Sequence, residues 1–111
     1  MAMMMESGLY IAKFRTPLDD SSGVIVINDH DVLGGDSSMF YTGSVSGEGG
    51  NLKATLRVRQ HDERSISVFG EYKDFTLTLT GRQQGNAYVF EGRADRIPSL
   101  RFTAELKLAP V

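Results

Sequence analysis

Nearly every segment of this chain alternates between apolar and polar residues with a period of two. Leu52, Ala54, Leu56 and Val58 alternate with Lys53, Thr55, Arg57 and Arg59. Phe75, Leu77 and Leu79 alternate with Thr76, Thr78 and Thr80, and Phe102, Ala104, Leu106 and Leu108 with Arg101, Thr103, Glu105 and Lys107. Successive side chains of a strand point to opposite faces, so each segment has one dry and one wet face. No segment carries the 3.6-residue apolar stripe of a helix that would cover a sheet. A one-sided sheet without a cover must close on itself or fold into a sandwich.

Turn formers cut the pattern into eight candidate strands: Gly8–Arg15, Gly23–Asn28, Val32–Gly35, Phe40–Ser46, Leu52–His61, Asp74–Gly81, Ala87–Arg93 and Leu100–Leu108. Asp19-Asp20-Ser21-Ser22, Asp29-His30-Asp31, Gly47-Glu48-Gly49-Gly50, Gln84-Gly85-Asn86 and Ile97-Pro98-Ser99 separate them. These connections are too short for crossover helices, so neighbours run antiparallel. The longer one, Asp62–Lys73, has room for a single helical turn. The expectation is an all-β fold, an eight-stranded antiparallel up-and-down barrel over residues 8–111, behind a flexible tail of residues 1–7.

Gly34-Gly35, followed by Asp36, could suggest a phosphate cradle. A strand and not a helix follows it, and neither G-x-G-x-x-G nor the lysine-bearing P-loop pattern is present. The glycines therefore read as a bend that helps close the barrel, with Asp36 bonding nearby backbone amides.

The expected inward set comprises Tyr10, Ala12 and Phe14 from the first strand, Ala54 and Leu56 from the fifth, and Phe75 and Leu77 from the sixth. Tyr88, Phe90, Phe102 and Ala104 complete it. The alanines either offset bulky neighbours in a packed core or leave an apolar pocket for a small lipid-like ligand. Two strands break the alternation. Leu9 and Ile11 face outward, and Val24, Ile25, Val26 and Ile27 make both faces of the second strand apolar. Strands of that kind need cover on both sides. The expected cover is a second copy of the chain, giving a homodimer through Leu9, Ile11, Val24, Ile25, Val26 and Ile27. The alternative is the connection Asp62–Lys73 folding over this face, with Val68 and Phe69 as plugs.

The 111 residues make one domain, large enough to bury roughly two-thirds of the unfolded chain's surface. Hydrophobic residues make up 41% and charged residues 23%, which disfavours disorder and membrane spanning. Cysteine is absent, removing disulfides and thiolate metal sites and fitting a reducing compartment. Met1-Ala2-Met3-Met4-Met5-Glu6 lacks the basic and apolar regions of a signal peptide, so the expected location is cytoplasmic. The formal charge is −2 with basic residues scattered, and the Lys53, Arg57, Arg59 alternation reads as a solvated face; nucleic-acid binding is not expected. His30 and His61 each precede an aspartate in or beside a turn, and neither gathers enough ligands for a metal. With no Gly-x-Ser-x-Gly elbow and no cysteine, nucleophilic catalysis has no carrier. The expectation is a non-enzyme without a cofactor.

Gly8-Leu9-Tyr10, the run Gly23–Asn28, Gly34-Gly35-Asp36, Tyr41-x-Gly43 and Ser67-Val68-Phe69-Gly70 resemble the GrlR-like proteins, a family named for a bacterial negative regulator of type III secretion. The resemblance spans nearly the whole chain and is strongest over residues 8–46. It implies a lipocalin-like eight-stranded barrel, a homodimer, and regulation by sequestering a transcriptional activator without touching DNA. It also implies a barrel interior considered for lipid or glycolipid. The family's named member presents an acidic Glu-Asp-Glu-Asp turn to its partner. Here the same hairpin reads Gly47-Glu48-Gly49-Gly50, and only Glu48 is acidic. A single carboxylate steers a basic surface poorly.

Overall fold

The computed structural model describes residues 5–17, 20–48, 50–62 and 73–111. Eight strands form one closed antiparallel barrel: β1 (Gly8–Arg15), β2 (Asp20–Asn28), β3 (Asp31–Gly35), β4 (Met39–Glu48), β5 (Asn51–Gln60), β6 (Asp74–Gln84), β7 (Ala87–Ala94) and β8 (Ile97–Leu108). Each strand pairs with the next, and β1 closes the ring on β8 with Tyr10 opposite Leu108 and Phe14 opposite Ala104. Closure pairs both edges of the described sheet, so these strands offer no free edge to template aggregation. Among the described residues no helix is long and apolar enough to cross a membrane.

Alternation in sequence becomes inside and outside in space. Leu52, Ala54, Leu56 and Val58 are buried, while Lys53, Thr55 and Arg57 are exposed. Tyr10, Ala12, Phe14, Phe75, Leu77, Tyr88, Phe90, Phe102 and Ala104 all join the same buried core, as the pattern predicts. Its aromatic side chains pack edge-on or stacked: Phe14 lies 5.5 Å from Tyr41 and 5.7 Å from Phe102, and Tyr10 lies 5.8 Å from Tyr88.

At Gly34 the paired strand approaches too closely for a side chain. Gly34 occupies an inward position on β3, and a Cβ there would stand 2.3 Å from the Val24 carbonyl oxygen. At Gly43, inward on β4, a Cβ would stand 2.0 Å from the Thr55 carbonyl oxygen. The paired strand fills the volume that a side chain would need, so the sheet can coil tightly only where none exists.

Several boundaries differ from the sequence reading. β2 begins at Asp20 because Asp20, Ser21 and Ser22 pair with Arg15, Phe14 and Lys13, so these turn formers extend the hairpin. Ile97-Pro98-Ser99 opens β8 instead of forming a turn. The ladder slips there, with Ala94 opposite Ile97 but Arg93 opposite Arg101. Pro98 falls inside the slip, where its missing N–H breaks no regular ladder. Residues 5–7, expected in the tail, pack onto the barrel: Met5 is buried, the Ser7 hydroxyl accepts a hydrogen bond from the Asp29 N–H at 2.9 Å, and the Glu6 carbonyl accepts from Tyr10. The helical turn considered within Asp62–Lys73, and the plugs Val68 and Phe69, lie outside the described residues.

Candidate functional site

The strands bring together three features: an apolar cavity, a polar knot at one end of it, and an apolar stripe on the outer wall. The cavity measures about 50 Å³ and is lined by inward residues including Phe14, Ile25, Ile27, Ala54, Phe102 and Ala104. Each water-sized guest takes about 10–15 Å³ of such space, so there is room for only about three to five. Side chains therefore fill the barrel almost completely. Of the expected interior residues, Tyr10, Ala12, Phe75 and Tyr88 do not touch the cavity; they pack around it.

Asp36 is the one ionisable carboxyl among the described lining residues. It sits in the β3–β4 turn, where its Oδ1 accepts hydrogen bonds from the Ser38 and Met39 N–H groups, each at 2.8 Å. The Ser38 hydroxyl adds a bond at 3.3 Å, and the Tyr41 hydroxyl donates to Oδ2. The Asp36 N–H closes the turn on the Met39 carbonyl at 2.9 Å, and His61 Nε2 lies 2.8 Å from the Asp36 carbonyl oxygen. The backbone bonds follow the sequence reading of Asp36. The bond to Tyr41 does not appear in it, although an aspartate five residues before an inward tyrosine across a tight turn is the available signal.

Burial, then the hydrogen bond to Asp36, raises the Tyr41 phenol far above its ordinary value of 10.0; burial, with Tyr88 and Glu6 nearby, does the same for Tyr10. A phenol whose pKa is higher folded than unfolded contributes full stability below the unfolded value and loses it as pH rises past that value. The melting temperature is therefore expected to fall steeply above about pH 10, where an unfolded tyrosine ionises. Phenolate absorbance from Tyr10 and Tyr41 should appear only together with loss of the strand signal. Early, complete ionisation of every tyrosine in the folded protein would contradict this placement.

On the outside of β1, β2 and β3 lies an apolar stripe. Leu9 pairs with Val26 and Val26 with Leu33, while Ile11 pairs with Val24, so all five share the outer face in two adjacent rows. Ile11, Val24, Val26 and Leu33 are between 44% and 57% exposed, and Leu9 is half-buried. Ile25 and Ile27 do not belong to this surface. They are buried inside the barrel because the β1 register sets Ile25 opposite the inward Tyr10, which corrects their assignment to the dimer face. Leu33 joins the stripe through a pairing that the sequence does not display.

Glu48 is exposed at the β4–β5 hairpin. His30 ties its turn to β4: its Nδ1 lies 3.1 Å from the Val45 carbonyl, and its own carbonyl accepts from the Val45 N–H at 2.8 Å. Arg59 stacks over Phe40 at 5.0 Å. Among the described residues no group of three potential metal ligands converges. No family model matches this chain, and a search of the curated proteins finds no similar sequence.

Proposed function

We propose that the chain is a regulatory binding protein without enzymatic activity, working as a homodimeric barrel that holds a protein partner. The observation that carries this reading is the stripe Leu9, Ile11, Val24, Val26 and Leu33, which stands open on the wall of a barrel whose interior is already full. Contiguous exposed apolar rows mark interaction surfaces. Covering the four exposed members would contribute about 3–6 kcal/mol before association costs, taking half of the ~1.5–3 kcal/mol for full burial of each.

The partner class comes from the GrlR-like resemblance: a transcriptional activator removed by sequestration, in the setting of type III secretion. Support is the shared Gly34-Gly35-Asp36 and Tyr41-x-Gly43 motifs, whose glycines here admit close strand approach and whose Asp36 and Tyr41 knot the turn. The Ser67–Gly70 motif lies outside the described residues. Carriage of a lipid-like ligand has less support, because about 50 Å³ cannot take an acyl chain unless the barrel widens.

Sedimentation at micromolar concentration tests the dimer. The wild-type chain is expected at twice the monomer mass, and Val26→Glu, which sets a carboxylate between Leu9 and Leu33, is expected at monomer mass with an unchanged melt. A wild-type monomer would overturn the dimer. Capture of no regulator by the immobilised wild-type chain from its own cell extract would count against sequestration.

A further inference from the structure

The β7–β8 hairpin carries a cluster of arginines that the sequence scatters. Arg93 and Arg101 stand directly opposite each other on the outer face, and Arg96 occupies the turn between their strands. All three are exposed. Like charges directly across a ladder are destabilising, so a fold that places them there gives up stability.

Three of the nearby carboxylates are engaged elsewhere, while Glu91, two residues before Arg93 on the same outer face, is exposed. Asp74 is gripped by both arms of Arg57, at 3.2 and 2.9 Å. Asp95 Oδ1 accepts from the Thr76 N–H at 2.9 Å, while its own N–H donates to the Thr76 carbonyl at 2.9 Å. Glu105 on the same wall reaches Lys107 at 3.7 Å. No carboxylate of the described residues forms an ion pair with Arg93, Arg96 or Arg101, although Asp74 feels the Arg96 charge and Glu91 stands beside Arg93 on the same face. The ladder also slips between Arg93 and Ala94, an irregularity of the kind that re-aims side chains at functional surfaces.

We infer that the outer face of this hairpin, through Arg93, Arg96 and Arg101, docks a carboxylate-rich extended segment of a protein partner. An extended acidic segment presents alternate side chains on one side about every 6.6 Å, a spacing that flexible guanidiniums one strand apart can meet in forked pairs. Nucleic acid fits less well, because nucleic-acid affinity comes mainly from neutralising many phosphates along the backbone, and only three arginines gather here. The inference rests on the protein-binding reading and gives it a sign. The partner surface is acidic, and the β4–β5 hairpin with its lone Glu48 is not the contact.

The test is fluorescence anisotropy with a labelled ten-residue polyglutamate peptide, at low and at physiological salt. Binding is expected at low salt, weakening several-fold as salt rises. Arg93→Gln with Arg101→Gln is expected to lose about tenfold in affinity while melting no lower than wild type, since the repulsion is relieved. Should that pair unfold, Arg101→Gln alone gives the same readout at smaller amplitude. The monomeric Val26→Glu chain is expected to bind normally, which separates this result from the fate of the dimer. No binding at low salt, undiminished binding by the arginine variants, or tighter binding of a thymidine decanucleotide would each overturn the inference.

Discussion

Gly43→Ala is expected to cost more than about 3 kcal/mol, beyond the usual range for one added methyl group in a core. The reason is geometric. The new Cβ would stand 2.0 Å from the Thr55 carbonyl oxygen and 2.9 Å from the Leu56 Cα, both backbone atoms of the paired strand. A clash with a side-chain tip is relieved by rotating the side chain, but here β5 must move. That movement strains the Gly43–Leu56 ladder and the neighbouring pairs Tyr41–Val58 and Val45–Ala54. For a domain of this size the loss corresponds to a fall in melting temperature of more than about 10 °C. Gly50→Ala is the control, because nothing lies within 4 Å of a Cβ at that position. It is expected to melt unchanged or slightly higher, through a stiffer unfolded chain. Equal melts for the two variants would refute the close approach of β4 and β5.

The contrast between the two glycines shows which information the chain displays locally. The sequence already sets Gly43 within a strand and Gly50 within a turn; what no local pattern names is the strand lying opposite Gly43, which makes its replacement costly. The same limit explains β2. Where apolar and polar residues alternate, as from Leu52 to Arg59, parity is visible and the inward set can be read directly. Across Val24–Ile27 every residue is apolar, so parity is hidden until the register with β1 sets Ile25 against Tyr10 and leaves Val24 against Ile11. The outer stripe was therefore half legible: Leu9 and Ile11 by the polarity of their successors, Leu33 only through its pairing with Val26. Turn chemistry had the opposite weakness. Ser21, Ser22 and Pro98 read as loop by composition, yet pairing with β1 and a slipped ladder draw them into strands. Asp36 was legible as a turn residue because its bonds to Ser38 and Met39 are local, whereas its bond to Tyr41 depends on where the following strand lands.

Asp36→Ala is expected to cost about 2–4 kcal/mol, because one carboxylate satisfies four donors at the end of the barrel and charge-assisted bonds are worth about 1.5–3 kcal/mol each without being additive. Ser38, Met39 and Tyr41 are all buried, so losing the acceptor leaves two backbone N–H groups, a hydroxyl and a phenol to find partners in a confined space. The phenol has the worst position. It packs edge-on against Phe14 and lines a cavity with almost no polar surface, where an unpaired hydroxyl pays its full desolvation cost. Tyr41→Phe removes that donor with its partner still solvated by the turn amides, so it is expected to cost only about 1 kcal/mol. In the Asp36→Ala background, Tyr41→Phe should cost nothing or restore stability. Thermal melts of the two single variants and the double variant measure this coupling. Strictly additive losses would show that the Asp36–Tyr41 bond does not hold the β3–β4 turn to the barrel interior.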